Sequence, residues 1–192
     1  ELKEDVIILA TGPAVKNFEG LSWLPLDAVR GQVSLLEGTP QSQNLKSTLC
    51  YGGYLSPALD GVHVAGSTFE KWVDHTNVSE ENHQDNIESL KENIPALAEE
   101  NFVTRSGRAG MRAATNDRFP VVGQIPDHDK VYVSAAFGSH GLVGSILGAH
   151  YVADCLRSGP KSIALNSANE LNPKRFLDRA QKKGRDLRKS MI

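Results

Sequence analysis

Cysteine is scarce in this sequence: Cys50 and Cys155 are the only two. They are too few for a disulfide framework and lack metal-site spacing, so a reducing cytosol is the expected setting. No H-x-x-x-H or C-x-x-C pair occurs, which argues against metal catalysis. There is no G-x-S-x-G nucleophile elbow, no apolar run of membrane-spanning length and no signal-peptide pattern. Internal repeats and low-complexity tracts are missing too. Neither sign of charge dominates: the net charge is −2 and the isoelectric point is near 6.3. That balance excludes a global nucleic-acid signature but leaves room for a local basic patch. An initiating methionine is also lacking. The chain starts at Glu1 and almost at once enters a strand of buried type, as expected of a piece of a longer protein.

What is present suits a globular protein. A chain of 192 residues, 40% hydrophobic and 23% charged, has core enough for one large domain or two small ones. Its organising stretch runs from Lys130 to Asp154. An apolar strand (Val131 to Ala136) feeds a turn bearing Gly138, Gly141 and Gly144, and a helix of small and apolar residues follows. Free N–H groups and the positive end of the helix dipole converge at such a junction, which suits an anion or dinucleotide. Gly138 and Gly141 are expected to permit positive φ and close ligand approach. Gly141, Ser145, Gly148, Ala149 and Ala153 are small enough to seat the helix on a sheet. The spacing is G-x-x-G-x-x-G rather than G-x-G-x-x-G, so a tight strand–helix turn without a ligand is an equal reading.

Asp5 to Gly12 (DVIILATG) reads as a parallel strand covered on both faces, with Thr11 and Gly12 at its carboxyl end, where ligands gather. Ala28 to Leu36 reads as a strand interrupted by Gly31, which signals a bulge or a close approach. Leu49 to Leu55 and Val62 to Ser67 are further strands around a turn at Pro57–Gly61. These antiparallel-type strands suggest a sheet domain (residues 25–123) inserted between two parts of a nucleotide-binding domain (residues 1–24 and 124–192). Ser79 to Ile94 is the clearest helix. Ser79 caps it, Glu80 and Glu81 sit in its first turn, Ile87, Leu90 and Ile94 form its apolar stripe, and Pro95 stops it.

Arg105 to Gly123 carries Arg105, Arg108, Arg112 and Arg118, with strand character at each end. Arg112 lies between Met111 and Ala113, a half-buried setting in which a guanidinium needs an anionic partner; a carboxylate clamp and a phosphate contact both fit. Ser158–Pro160 ends the central helix, Ile163 to Leu171 reads as connecting loop, and Pro173 to Lys189 as a terminal helix. The basic residues of that helix, Lys182, Lys183, Arg185, Arg188 and Lys189 among them, suit either a solvated end or part of a nucleic-acid surface.

Several stretches together resemble one family over nearly the whole chain. They are ILATG (Ile8–Gly12), VRGQVS (Val29–Ser34), LCYGGYLSP (Leu49–Pro57), RAGMRAATNDRFPVVGQIPD (Arg108–Asp127), FGSHGL (Phe137–Leu142) and LNPKRF (Leu171–Phe176). In this order they resemble the second half of FAD-dependent amine oxidases of the D-amino-acid oxidase and glycine oxidase type. RAGMRAAT with LCYGGYLSP favours, within that group, the oxidoreductase domain of bifunctional enzymes that modify the tRNA wobble uridine.

The resemblance implies a mixed α/β fold: the C-terminal part of a glycine oxidase-like FAD-binding Rossmann domain with an inserted antiparallel-sheet substrate domain. It implies FAD as cofactor and tRNA as partner, with oxidative removal of the carboxymethyl group from carboxymethylaminomethyl-(2-thio)uridine to leave aminomethyl-uridine and glyoxylate. A methyltransferase domain of the parent protein, absent here, would use S-adenosylmethionine. By position, Arg112 matches the arginine that holds the substrate carboxylate, and Tyr54 a position near the substrate. Thr11, Gly12, Arg30, Gly31 and the run Phe137, Gly138, Ser139, His140, Gly141, Leu142, Val143 match cofactor-lining positions. No catalytic acid or base is assigned. The family's G-x-G-x-x-G strand–helix unit and its ribose-binding acid are absent, so the chain carries about half of the cofactor site, and its further partners are its own missing N-terminal segments. Two other readings stay open: an oxidase of glycine, sarcosine or D-amino acids, and a non-catalytic tRNA-binding module.

Overall fold

The computed structural model describes residues 5–157, 160 and 162–188. Its strands are β1 (Ile7–Leu9), β2 (Leu26–Glu37), β3 (Leu49–Cys50), β4 (Tyr54–Leu55), β5 (Val62–Gly66), β6 (Glu70–Lys71), β7 (Thr104–Thr115), β8 (Val121–Gln124) and β9 (Val131–Ala135). Its helices are α1 (Glu80–Asn93), α2 (Gly141–Leu156), α3 (Leu165–Leu171) and α4 (Lys174–Lys182). The chain divides into two compact units: residues up to Ala28 with those from Arg112 onward, and Val29–Met111. Both boundaries fall inside long strands, β2 and β7.

The first unit is built on a three-stranded sheet ordered β1-β9-β8. β1 runs parallel to β9, with Ile7, Ile8 and Leu9 opposite Val131, Tyr132 and Val133, whereas β8 runs antiparallel to β9. Strand alternation sends neighbouring side chains to opposite faces. Val121 and Val133 join one core with Leu9, Leu24 and Phe176. Val122 and Tyr132 join another with Tyr151 and Val152 of α2 and Leu171 of α3. Cover on both faces explains the continuous apolar run of β9; β1, expected to be covered on both faces, has Ile8 48% exposed.

Close seating of α2 comes from Gly144 and Gly148. A Cβ on either would lie 3.0 Å from the Phe137 ring. Gly148 is buried, while Ser145 and Ala149 are exposed and take no part in the seating; the correct small-residue stripe is offset from the expected one. The stretch 163–171, expected to be loop, contains α3. The terminal helix is shorter than expected and ends at Lys182. Ser158, Gly159 and Lys189 lie outside the described residues.

Nor is the basic C-terminal segment simply solvated. Arg175 is 6% exposed and donates to Asp117 at 2.9 Å (Nε) and 3.2 Å (Nη2), to the Leu171 carbonyl at 2.9 Å and to the Phe119 carbonyl at 2.9 Å. Arg179 bridges Asp117 and Glu170. One buried guanidinium thus ties α4 to the β7–β8 corner.

The second unit is an antiparallel sheet ordered β3-β4-β5-β2-β6, with β7 also pairing β2. β2 is opposed by β5 at Val33–Glu37 and by β6 at Val29–Arg30. The expected single strand at 49–55 is instead the tight hairpin β3–β4, turning at Tyr51–Gly53. The Arg105–Gly123 stretch, expected to be strand only at its ends, is one long strand to Thr115, a short turn and then β8.

Helix α1 covers one sheet face. Ser79 caps it, its hydroxyl accepting from the Asn82 N–H at 3.2 Å. The buried seam is polar at its N-terminal half and apolar at its C-terminal half. Asn82, His83 and Asn86 meet Arg30, Gln32 and Ser34 of β2, whereas Ile87 and Leu90 meet Leu36, Leu55 and Ala65.

The Asp117 carboxyl shows what the C-terminal tie contributes. Burial alone would raise its pKa, but hydrogen bonds from Arg175, Thr115 and Arg179 and the Arg175 charge outweigh that and hold it far below its ordinary 3.8. A depressed native value contributes stability above the ordinary value and loses it as pH falls. Unfolding free energy measured by denaturant titration should therefore drop between about pH 5 and pH 2, and Asp117→Asn should flatten that drop. Asp117→Ala, which leaves Arg175 buried without its carboxylate, should cost about 3 kcal/mol at neutral pH.

Candidate functional site

Because β1 and β9 are adjacent and parallel, their carboxyl ends share one sheet edge. Thr11 and Gly12 follow β1, and Ala136 to Val143 follow β9. The structure therefore brings together two of the segments marked in the sequence, Thr11–Gly12 and Phe137–Val143. This is where open α/β sheets bind ligands.

The turn itself is a 3-10 segment, Gly138–His140, running directly into α2. Gly138 takes φ +55°, as expected; Gly141 is helical, with φ −57°, so its expected positive φ is corrected. The start of α2 has no side-chain cap and no acidic residue in its first turn. Its leading N–H groups have no partner within the helix and face outward with the positive end of the dipole. Nothing lies within 4 Å of a Cβ built on Gly12 or Gly138, so both glycines border open space. Ser139, His140, Leu142 and Val143 are exposed. Phe137 differs: it is half-buried, and its ring lies over Gly144 and Gly148.

An uncapped helix N-terminus, open glycines and the carboxyl end of a parallel sheet fit the pyrophosphate or flavin part of FAD. Next to them is an apolar cleft of about 710 Å³ bordered by Phe119, Val122, Phe137, Leu147 and Leu171. Leu142, Val143 and Ile146 on α2 are 89%, 77% and 63% exposed.

The other marked residues lie on other elements. Arg112, half-buried, is the first residue of the C-terminal segment of this unit, on β7. Arg30, Gly31 and Tyr54 belong to the second unit. Arg30 is 1% exposed, and its guanidinium is bound by Glu70, Asn82 at 2.5 Å, Gln32 at 3.0 Å and the Asn77 carbonyl. Its Nε alone is buried without a partner among the described residues. Gly31 is buried and Tyr54 half-buried. Sequence reasoning missed the buried amides and imidazole of α1 that serve this cluster. The run Asn82, His83, Asn86 at i, i+1, i+4 was the available signal, hidden by the polarity that marks a solvated face.

Comparison with known proteins then decides the family. The model of the FAD dependent oxidoreductase (DAO) family matches residues 1–155. The chain belongs to that family. Relatives include the tRNA 5-methylaminomethyl-2-thiouridine biosynthesis bifunctional protein MnmC of Azoarcus sp. (strain BH72), 34% identical over 90% of this chain and 29% of the relative. The protein of the same name from Saccharophagus degradans is 30% identical over 91% of this chain and 28% of the relative. The chain thus spans under a third of these relatives. Among solved structures, glycine oxidase from Bacillus cereus ATCC 14579 matches with a TM-score of 0.70 at 22% identity, covering 85% of this chain and 45% of that one. Iminodiacetate oxidase from Chelativorans sp. BNC1 matches with a TM-score of 0.72 at 20% identity, covering 90% and 47%. These likenesses establish the glycine oxidase-like α/β fold.

Close seating of α2 sets the direction in which its N-terminus points. Gly148→Val would drive a branched side chain into Phe137 and Val122, the latter 3.4 Å from a Cβ at that position. Thermal or denaturant unfolding should show a loss of roughly 1–3 kcal/mol, with weaker FAD binding by the protein carrying this chain.

Proposed function

We propose that this chain is part of a flavin-dependent oxidase that removes the carboxymethyl group from carboxymethylaminomethyl-(2-thio)uridine at the tRNA wobble position. The observation that carries the reading is an uncapped α2 N-terminus, with its glycine turn, at the carboxyl end of adjacent parallel strands, in a chain of the FAD dependent oxidoreductase family. Support for the tRNA substrate comes from the names of the relatives. Their word bifunctional supports a second activity in the parent protein, an S-adenosylmethionine-dependent methyltransferase in a domain outside this chain.

In this reading the first unit belongs to the FAD-binding domain and the second forms the substrate domain. Thr11, Gly12 and the Phe137–Val143 turn hold the cofactor, and Arg30 and Gly31 line the flavin edge. When bound, FAD supplies a two-electron acceptor for the carbon between nitrogen and carboxylate. Arg112 grips the substrate carboxylate through a forked pair of hydrogen bonds and Tyr54 borders the substrate. The N–H groups at the start of α2 stabilise negative charge gathering at the sheet edge. The amine reacts in its neutral form, so no side chain is assigned as base. Water then cleaves the resulting imine to aminomethyl-uridine and glyoxylate. In this reading the exposed apolar face of α2 (Leu142, Val143 and Ile146) packs against the remainder of the FAD-binding domain.

Three outcomes are expected. Flavin absorbance of the full-length protein should bleach on anaerobic addition of carboxymethylaminomethyl-tRNA. Bleaching only with glycine or sarcosine would replace the tRNA substrate by a small amine. Absence of flavin, with salt-dependent tRNA binding, would leave a non-catalytic tRNA-binding module. Arg112→Ala in that protein should lower kcat/KM by about 100-fold, roughly 3 kcal/mol of lost carboxylate binding, with flavin retained; loss of flavin as well would make Arg112 structural. The 192-residue chain alone, titrated with free FAD, should bind weakly or not at all, and tight stoichiometric binding would overturn the half-site.

A further inference from the structure

The second unit contains a polar cavity of about 530 Å³ between α1 and the start of β7. His83, Lys91, Arg105, Thr104, Ser106 and Glu80 border it. His83 is 4% exposed, and its tautomer follows from its neighbours. The Asn86 amide donates to the Ser34 hydroxyl at 3.0 Å and to the Gln32 carbonyl at 3.1 Å. The Ser34 oxygen lies 2.8 Å from His83 Nδ1. The hydroxyl's own proton has no other acceptor among the described residues, so Ser34 donates to Nδ1 and the ring proton sits on Nε2. No group among the described residues accepts from Nε2, and the ring borders the cavity.

Gly107 makes this ring position possible. A Cβ there would stand 2.4 Å from His83 Cε1 and 3.0 Å from Nε2, and 2.8 Å from the Val33 carbonyl oxygen. No side chain fits at residue 107 while the imidazole lies against the strand. The donor is therefore held in place from two sides, by the Asn86–Ser34 relay and by the bare strand.

Gly107 faces His83, so strand alternation puts Arg105 on that same face of β7 and turns the Thr104 and Ser106 side chains to the other; the cations of the lining are Arg105 and Lys91. Against these stands one carboxylate, Glu80, which accepts from the Gln84 amide at 3.2 Å. The balance is two cationic side chains to one carboxylate. A tetrahedral phosphate presents acceptor oxygens in several directions and so suits Arg, Lys and the imidazole N–H together better than the two coplanar oxygens of a carboxylate do. We infer that this cavity is a phosphate-binding site, separate from the sheet-edge site of the first unit, with His83 Nε2–H as its buried donor. The phosphate belongs either to an RNA backbone or to a small phosphate monoester.

Calorimetric titration of the full-length protein with inorganic phosphate tests it. One site is expected, with Kd raised about tenfold or more in Arg105→Ala and again in Lys91→Ala; Arg105 is exposed and Lys91 half-buried, and a thermal melt of each variant checks that it is folded. A crystal soaked in phosphate should place the anion against His83 Nε2. If tRNA binding weakens in the same variants, the phosphate is that of RNA; if a nucleoside monophosphate weakens and tRNA does not, it is a small phosphate monoester. No phosphate heat with unchanged tRNA binding, or acetate binding as tightly as phosphate, would overturn the assignment. Flavin bleaching is read separately, so this site and the oxidase reading fail independently.

Discussion

Parallel pairing of β1 with β9 is the constraint on which the first unit depends. Two strands running the same way end on the same side, and that alone collects Thr11–Gly12 and the Phe137–Val143 turn at one edge. Antiparallel pairing would have sent them to opposite ends. Burial of β9 on both faces fixes its register, because a slip of one residue would exchange Val133 with Tyr132 between two cores of different shape. Packing, register and site position are thus one arrangement.

The second unit depends on another kind of contact. Its helix does not rest wholly on apolar side chains, since the first two turns of α1 meet β2 through amides, a hydroxyl, an imidazole and a guanidinium. Such a seam adds little net free energy per bond, yet each buried group left unmatched costs more than its partner returned. The seam therefore specifies how α1 lies on the sheet, while Ile87 and Leu90 supply most of the hydrophobic stabilisation.

The strand-turn-helix of residues 130–154 was legible because strand periodicity, glycine punctuation and an apolar helix point the same way. So was α1, whose cap, acidic first turn and Pro95 stop agree with its observed ends. The hairpin at 49–55 was not legible: Gly52 and Gly53 break a run whose composition reads as one strand. α3 was also missed, since LNSANEL has a weak apolar period and no capping residue before it. The role of Arg175 was invisible for a deeper reason. A basic residue in a basic segment reads as solvated, and only tertiary structure reveals Asp117, 58 positions away in sequence, as its partner. For the site residues, glycines and strand ends could be read from local pattern, whereas the surroundings of Arg30 depended on contacts across the sheet and α1.

The uncapped beginning of α2 couples ligand capture to the order of the helix. A serine or aspartate at that position would contribute about 1 kcal/mol to the first turn; here the chain forgoes it at His140. Whatever anion accepts those N–H groups takes over the work of a cap, and part of its binding energy goes into fixing the turn. Amide hydrogens at Gly141 to Val143 should then report occupancy directly, exchanging with solvent from a frayed turn when the site is open and slowly when it is filled.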